Sequence, residues 1–406
     1  MSKVIDAPME QKSKVPIKGF KYRLYPTDEQ VIQLNQVFGC SRYVNNALIV
    51  KATKDYNEFK AANNETNRLT KYKMNIRYED VVNDPNRPWL REVGSVAYQE
   101  KERDVIAAFK NFFTYKKGYP QIKRKKDNYH SFRISGVDSI RIREEGIIPP
   151  KFKSPITIKW SRKLPGFHIP GRVTSYTISR NPSNQYFISF TCEYTPDRKC
   201  GTGSAGIDLG IKDLAIDSNG NKTINQKYYE HSQRKLAILQ RKHSKAQKGG
   251  KNREKLRLKV AKLYQHITNQ RVDYLHKFTS NIVKENQFVC IEDLNTAGMV
   301  KNHKLAKSIM DASWGKIYQL LAYKIHEAKG KLFLASRWYP STQACNKCGC
   351  LPSEKITLKI REWSCEHCGS HHDRDINAAM NLKSLMTNFI NSCINGLPDA
   401  TVNHLT

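Results

Sequence analysis

Cysteine spacing is the sharpest chemical signal in the chain. Cys345 and Cys348 form one Cys-x2-Cys pair, Cys365 and Cys368 form another, and 16 residues separate the two. That gap lies inside the window of a four-cysteine zinc site, in which two short knuckles bring four thiolates tetrahedrally around one ion. Gly349 and Gly369 each follow the second cysteine of a pair, where a knuckle must turn sharply. With all four positions filled by protein, the zinc would be structural. Cys350 offers a fifth thiol that makes ligand swapping conceivable, and His367, His371 and His372 stand nearby but outside the four-ligand set.

A second constellation is acidic. Asp208 sits inside the apolar run 205–210, Glu292 closes the run 288–291, and Asp375 lies at the start of a helix in HDRDINAA. Carboxylates on apolar strands cost desolvation energy unless a cation compensates. Three that converge suit two Mg2+ ions, which clamp the attacking and leaving oxygens of a phosphodiester. Taken singly, each acid reads as an ordinary strand-end or cap residue, and only the set on matching elements points to chemistry. A third signal is diffuse. Lys116, Lys117, Lys123, Arg124, Lys125 and Lys126 stand among Tyr115, Tyr119, Tyr129 and Phe132, while Lys18, Lys21 and Arg23 alternate with Phe20, Tyr22 and Tyr25. Cations of this kind neutralise phosphates and aromatics stack on unpaired bases.

Elements must bring these groups together. Residues 17–25 alternate as a strand, and Thr27-Asp28-Glu29-Gln30 is a capping box opening a helix with Val31, Leu34, Val37 and Phe38 on one face. Helical pattern continues through 50–115 apart from an Asn-rich stretch at 62–87, and a Gly/Pro-punctuated basic loop follows at 116–126. Residues 131–196 read as β structure, with a hairpin pairing 173–180 with 186–194 across Asn181-Pro182-Ser183-Asn184. From residue 204 the pattern runs strand, strand, strand, helix, strand, helix, strand. A long basic helical stretch lies within it, with twelve Lys/Arg and one acid, Glu254, over 231–262. This order fits an RNase H-like α/β layer in which an antiparallel meander feeds parallel crossovers.

The 406 residues and their 39% apolar content allow two or three cores. Lys and Arg number 69 against 37 Asp and Glu, a net charge of +32 that calls for a polyanionic partner. No apolar stretch approaches the roughly 20 residues of a spanning helix. Residues 1–16 lack the apolar core of a secretory signal and read as a disordered leader. The expected setting is intracellular and thiol-reducing, the cytoplasm or nucleoid if the host is prokaryotic.

Five segments in this order resemble the TnpB family, compact RNA-guided DNA endonucleases of insertion sequences that are related to type V CRISPR effectors and often labelled transposases. They are KGFKYRLYPTDEQ with SRYVNNAL, KKGYPQIKRKK, GIDLGIKDLA, CIEDLN, and YPSTQACNKCG with WSCEHCGSHHDRDINAAMN. The resemblance covers about residues 17–385, with Ser341-Thr342-Gln343 a mild variation. It implies that Asp208, Glu292 and Asp375 form a RuvC-type triad holding Mg2+. Asp375 is chosen over Asp373 because the family's ligand stands two residues before the Asn of the NAA helix. It further implies a zinc ribbon on the four cysteines, a noncoding guide RNA, a target DNA, and a role in maintaining the element. The implied layout is a wedge β-barrel with its N-terminal helix at 17–49 and 116–200, interrupted by a helical recognition lobe at 50–115. A RuvC-like nuclease at 201–340 and 371–390, a ribbon at 341–370 and a tail at 391–406 complete it. The alternatives are a non-catalytic nucleic-acid-binding regulator of transposition, which would keep the acids without using them, and a strand-transferring transposase. The second is disfavoured by a ribbon lying between the second and third acids.

Overall fold

Period-two burial builds the N-terminal half of the protein. In a computed structural model the described residues are 3–4, 15–62, 74–127, 129–136, 139–357 and 359–394. They form two units, residues 14–195 and residues 1–13 with 196–406. After β1 (Lys3–Val4), β2 (Ile17–Tyr25) buries Phe20, Tyr22 and Leu24 on one face. The helical elements α1 (Asp28–Ala62), α2 (Glu79–Val82) and α3 (Val96–Tyr115) follow. Then come β3 (His130–Ser135), β4 (Arg141–Ile142), β5 (Gly146–Ile148), β6 (Ile156–Lys159), β7 (Arg172–Arg180) and β8 (Tyr186–Glu193). These strands join β2 in one antiparallel sheet ordered β3-β7-β8-β2-β6-β5-β4. The ladder is open between β3 and β4 among the described residues, so the expected barrel is not closed by hydrogen bonds.

The predicted hairpin forms as β7 and β8, and Asn181 fixes its turn: Oδ1 accepts from the amides of Ser183 and Gln185 and from the Ser183 hydroxyl. The capping box also forms, the Thr27 amide donating to Gln30 Oε1 and the Gln30 amide to Thr27 Oγ1. It opens a 35-residue helix that runs unbroken past residues 49 and 50. The boundary expected there between wedge and recognition lobe is therefore not a break, and Leu48, Ala52, Tyr98 and Phe109 share one core with the sheet's Phe132, Ile178 and Phe190. Of the Asn-rich stretch, residues 63–73 lie outside the described residues.

The other unit begins with β9 (Gly203–Asp208), β10 (Asp213–Asp217) and β11 (Lys222–Ile224), the expected meander. The basic stretch is two helices, not one. Gly249-Gly250 separates α4 (Tyr228–Lys245) from α5 (Lys251–Glu285), and Arg253 Nη1 donates to the carbonyls of His243 and Ala246 at the end of α4. Glycine lowers helix propensity enough to stop a helix here. Next are β12 (Asn286–Glu292), α6 (Thr296–Met299), α7 (His303–Ala312), α8 (Trp314–Glu327) and β13 (Lys331–Ala335). After them come β14 (Glu362–Ser364), β15 (His371–Asp373) and α9 (Arg374–Ile394).

The sheet order is β1-β13-β12-β9-β10-β11, with β12 parallel to both β9 and β13. Ala205, Ile207, Val289 and Ile291 face a core shared with α5 and α8, while Cys290 and Phe333 face Leu382 and Met386 of α9. Two expectations for the chain ends change. Lys3 and Val4 pair with Leu334 and Phe333 as an edge strand within the expected leader, whose residues 1–2 and 5–14 lie outside the described residues. The expected tail starts within α9, and residues 395–406 lie outside the described residues. Among the described residues no helix is long and apolar enough to cross a membrane.

Candidate metal centres and nucleic-acid surface

Strand alternation decides where the acids point. Ile207 and Ile291 face the α5/α8 core, so Asp208 and Glu292, the next residues on neighbouring parallel strands, turn to the face that carries α9. The start of α9 carries Asp375. Helix and strand approach closely at Gly206, where a β-carbon would stand 2.0 Å from the Ala379 carbonyl oxygen and 2.5 Å from the Lys383 amide. Glycine at 206 and alanine at 378 and 379 are thus what let α9 lie on β9 and bring its first turn beside Asp208.

The DRD tripeptide divides its labour. Asp373 Oδ1 accepts from the amides of Asp375 (2.9 Å) and Ile376 (3.2 Å), which makes it the cap of α9. Burial opposes ionisation of Asp373, but Lys222, 2.8 Å away, and those two amides hold its carboxyl below the usual range. Asp375 is held from both sides, by Arg374 at 2.6 Å and Arg361 at 2.8 Å. Arg374 in turn donates to the carbonyls of Thr357 and Ile360. Glu292 accepts from the Ser341 hydroxyl, and burial pushes its carboxyl up against that bond.

Asp208 has no ion-pair partner among the described residues. Burial, then the charges of Glu292 and Asp375, push it up to about 7 despite Arg374. The three acids share a face and an end of the sheet, yet among the described residues their oxygens do not all lie within 4.8 Å of one another. These carboxylates are hard oxygen donors, and a divalent cation such as Mg2+ would compensate the buried charge of Asp208 and Glu292.

The four predicted cysteines do come together, their sulfurs all within 4.8 Å. Cys345 and Cys368 are 3.7 Å apart and Cys348 and Cys365 3.6 Å, close to the ~3.8 Å tetrahedral edge set by Zn–S bonds of ~2.3 Å. Both knuckles turn as expected, with positive φ at Gly349 and Gly369, whose amides donate to the carbonyls of Cys345 and Cys365. His372 lies outside this set, but its Nε2 is 3.0 Å from Cys345 Sγ. The first knuckle is tied to α9. Asn381 Nδ2 donates to the carbonyls of Ser341 and Ala344, Asn377 Nδ2 donates to that of Ala344, and the Asn346 amide donates to Asn377 Oδ1. Arg361, Arg374, Ser341, Asn377 and Asn381 support these centres without belonging to the ligand sets expected from sequence. Their signal was only their adjacency to the acids and cysteines.

The expected nucleic-acid residues separate. Lys21 and Arg23 lie on the outer face of β2 over the ring of Phe187, at 4.3 and 5.0 Å, whereas Lys18 shares the parity of buried Phe20. Lys116, Lys117, Arg124, Lys125 and Lys126 are exposed. Lys123 is exposed but docked on α1, its Nζ 2.9 Å from Asn45 Oδ1 and its amide 3.0 Å from Asn46 Oδ1. Tyr115 and Tyr129 are 65% and 59% exposed and so free to stack, whereas Phe132 is core and Tyr119 packs on Phe109 and Phe112. Two cavities sharing Gly39 and Arg42 were missed. One of about 380 Å3 includes Lys125 and Arg180, and one of about 640 Å3 includes Lys51, Lys54 and Arg87. Their signal was the polar stripe of α1 opposite Leu34, Val44 and Leu48.

Comparison with known proteins adds three family matches. The model described as "Probable transposase" (IS605 OrfB) covers residues 187–303, a "Cas12f1-like, TNB domain" covers 314–382, and an OrfB "Helix-turn-helix domain" covers 17–61. That last segment is a strand followed by one helix. A Streptomyces pristinaespiralis protein named "Putative RNA-guided DNA endonuclease" is 37% identical over 90% of this chain and 88% of its own length. The Escherichia coli K12 protein named "Putative RNA-guided DNA endonuclease InsQ" is 26% identical over 90% and 91%. A chain from a cryo-EM structure of a Cas12f1–sgRNA–target DNA complex matches with a TM-score of 0.55 at 12% identity, covering 91% of this chain and 98% of that one, which is a likeness of fold.

Proposed function

The chain belongs to the TnpB family of IS605 OrfB proteins, and from that premise we propose that it is an RNA-guided, Mg2+-dependent DNA endonuclease. One observation supports this above the rest. Asp208 has no ion-pair partner among the described residues and is raised to about 7 by burial and then by Glu292 and Asp375, which leaves buried carboxylate oxygens suited to divalent cations. Asp208, Glu292 and Asp375 would hold the ions, whose contribution when bound is to polarise the phosphodiester and activate water. Ser341 orients Glu292, Arg361 and Arg374 orient Asp375, and Asp373 fixes the first turn of α9 beneath it.

The four-cysteine site would carry one structural zinc, anchoring the segment that supplies Ser341. The net charge of +32 suits a protein that grips a guide–target duplex through its backbone while base pairing supplies sequence choice. On this reading the enzyme supports maintenance of the element that encodes it.

Cleavage assays of the full chain purified with its co-expressed RNA test the proposal. Double-strand breaks are expected only with that RNA present. Asp208→Ala and Asp375→Asn should abolish cutting while RNA is retained, and Asp373→Asn should leave most of it. Sequence-specific cutting by RNase-treated protein would refute guidance. Wild-type cutting by Asp208→Ala would refute the assigned centre.

A further inference from the structure

The two knuckles repeat one another in their backbone bonds. The Cys345 amide donates to the Cys350 carbonyl at 2.9 Å, and the Cys365 amide donates to the Ser370 carbonyl at 2.8 Å. Cys350 therefore occupies in the first knuckle the place that Ser370 occupies in the second. There the Ser370 hydroxyl stands 3.2 Å from Cys368 Sγ, so a side chain at this position reaches the neighbouring ligand sulfur. Replacing hydroxyl by thiol turns a hydrogen-bonding partner into a metal ligand. A ligand nitrogen of His367, an exposed residue of the second knuckle, completes the group: Cys348, Cys350 and His367 have ligand atoms all within 4.8 Å of one another.

We propose that Cys350 and His367, with Cys348 as a shared thiolate, form a second and weaker site for a thiophilic divalent cation such as Zn2+ or Cd2+ at the outer edge of the ribbon. Thiolate and imidazole are the donors such ions prefer, and three protein ligands leave one tetrahedral position open to solvent. The charges favour it. One divalent ion on four thiolates leaves two net negative charges, whereas two ions on five thiolates leave one. Cys348 is only partly buried, so its outer lone pair is accessible to the second ion. This site is independent of the nuclease reading and presupposes only the four-cysteine centre.

Titrating the full zinc-loaded chain with Cd2+ in excess Mg2+, which keeps the Asp208, Glu292 and Asp375 carboxylates occupied, and counting bound zinc and cadmium ions by native mass spectrometry tests the proposal, with sulfur-to-cadmium charge-transfer absorption as a second readout. The wild type should take up one ion beyond the first. Cys350→Ser and His367→Ala should each lose that additional ion and keep the first, and Cys393→Ser, altering an exposed cysteine outside both groups, should keep both. A wild type that stays at a single ion in excess Cd2+, or an additional ion that survives either Cys350→Ser or His367→Ala, would overturn the second site. Protein purified with no ion at all would instead count against the four-cysteine centre.

Discussion

Asp208 is where pH should act most visibly. Its carboxyl is raised in the folded chain from 3.8 to about 7, so between those values the native state binds more protons than the unfolded one. Stability contributed by this residue is therefore present at low pH and lost as pH rises through that window, by up to a few kcal/mol at about 1.4 kcal/mol per unit. In the absence of divalent ions Asp208→Asn should melt at a higher temperature than wild type at pH 8, with the gap closing near pH 4. Adding Mg2+ at pH 8 should raise the wild-type melting temperature and barely move the variant. A gap that did not change with pH would show that Asp208 is not desolvated beside other charges.

At the scale of elements, α9 on β9 is the packing that brings the acids to one end of the sheet. Gly206→Ala would drive a methyl group into the Ala379 carbonyl, 2.0 Å away. Overpacking of that kind costs about 1–3 kcal/mol. Denaturant unfolding should show a loss of that order, and cutting should fall further than stability because Asp375 moves with the helix. The sequence announced many of the elements. Alternation gave the strands, Thr27 and Gln30 gave the start of α1, and cysteine spacing gave the knuckles, because each is a local rule that neighbouring residues satisfy among themselves. What stayed hidden depends on distant residues. Nothing local to Ser341 says that its hydroxyl meets Glu292 and nothing local to Arg361 says that it reaches Asp375, while α1 runs through the expected boundary at residues 49–50, where no glycine or proline stops it. The basic stretch reads as one helix because its charge is continuous, and Gly249-Gly250 is the local break that divides it.

For the molecule as a whole, the surplus of positive charge should govern affinity. If six to ten phosphates are neutralised, raising monovalent salt from about 50 to about 200 mM should weaken nucleic-acid binding by roughly 10^3 to 10^5. Filter binding of the guide RNA across that range measures it, and an affinity insensitive to salt would mean that the cationic surface is not the contact. The pairing of Lys3 and Val4 with Leu334 and Phe333 has a consequence for biosynthesis. β1 leaves the ribosome well before its neighbour β13, which is made about 330 residues later. At roughly 5–20 residues per second that is a wait of about 15 to 65 s, during which the whole 14–195 unit has emerged and can fold. β1 thus waits for β13 before it can join the sheet, and a fusion placed directly before residue 3 would burden a strand whose docking completes the edge beside β13.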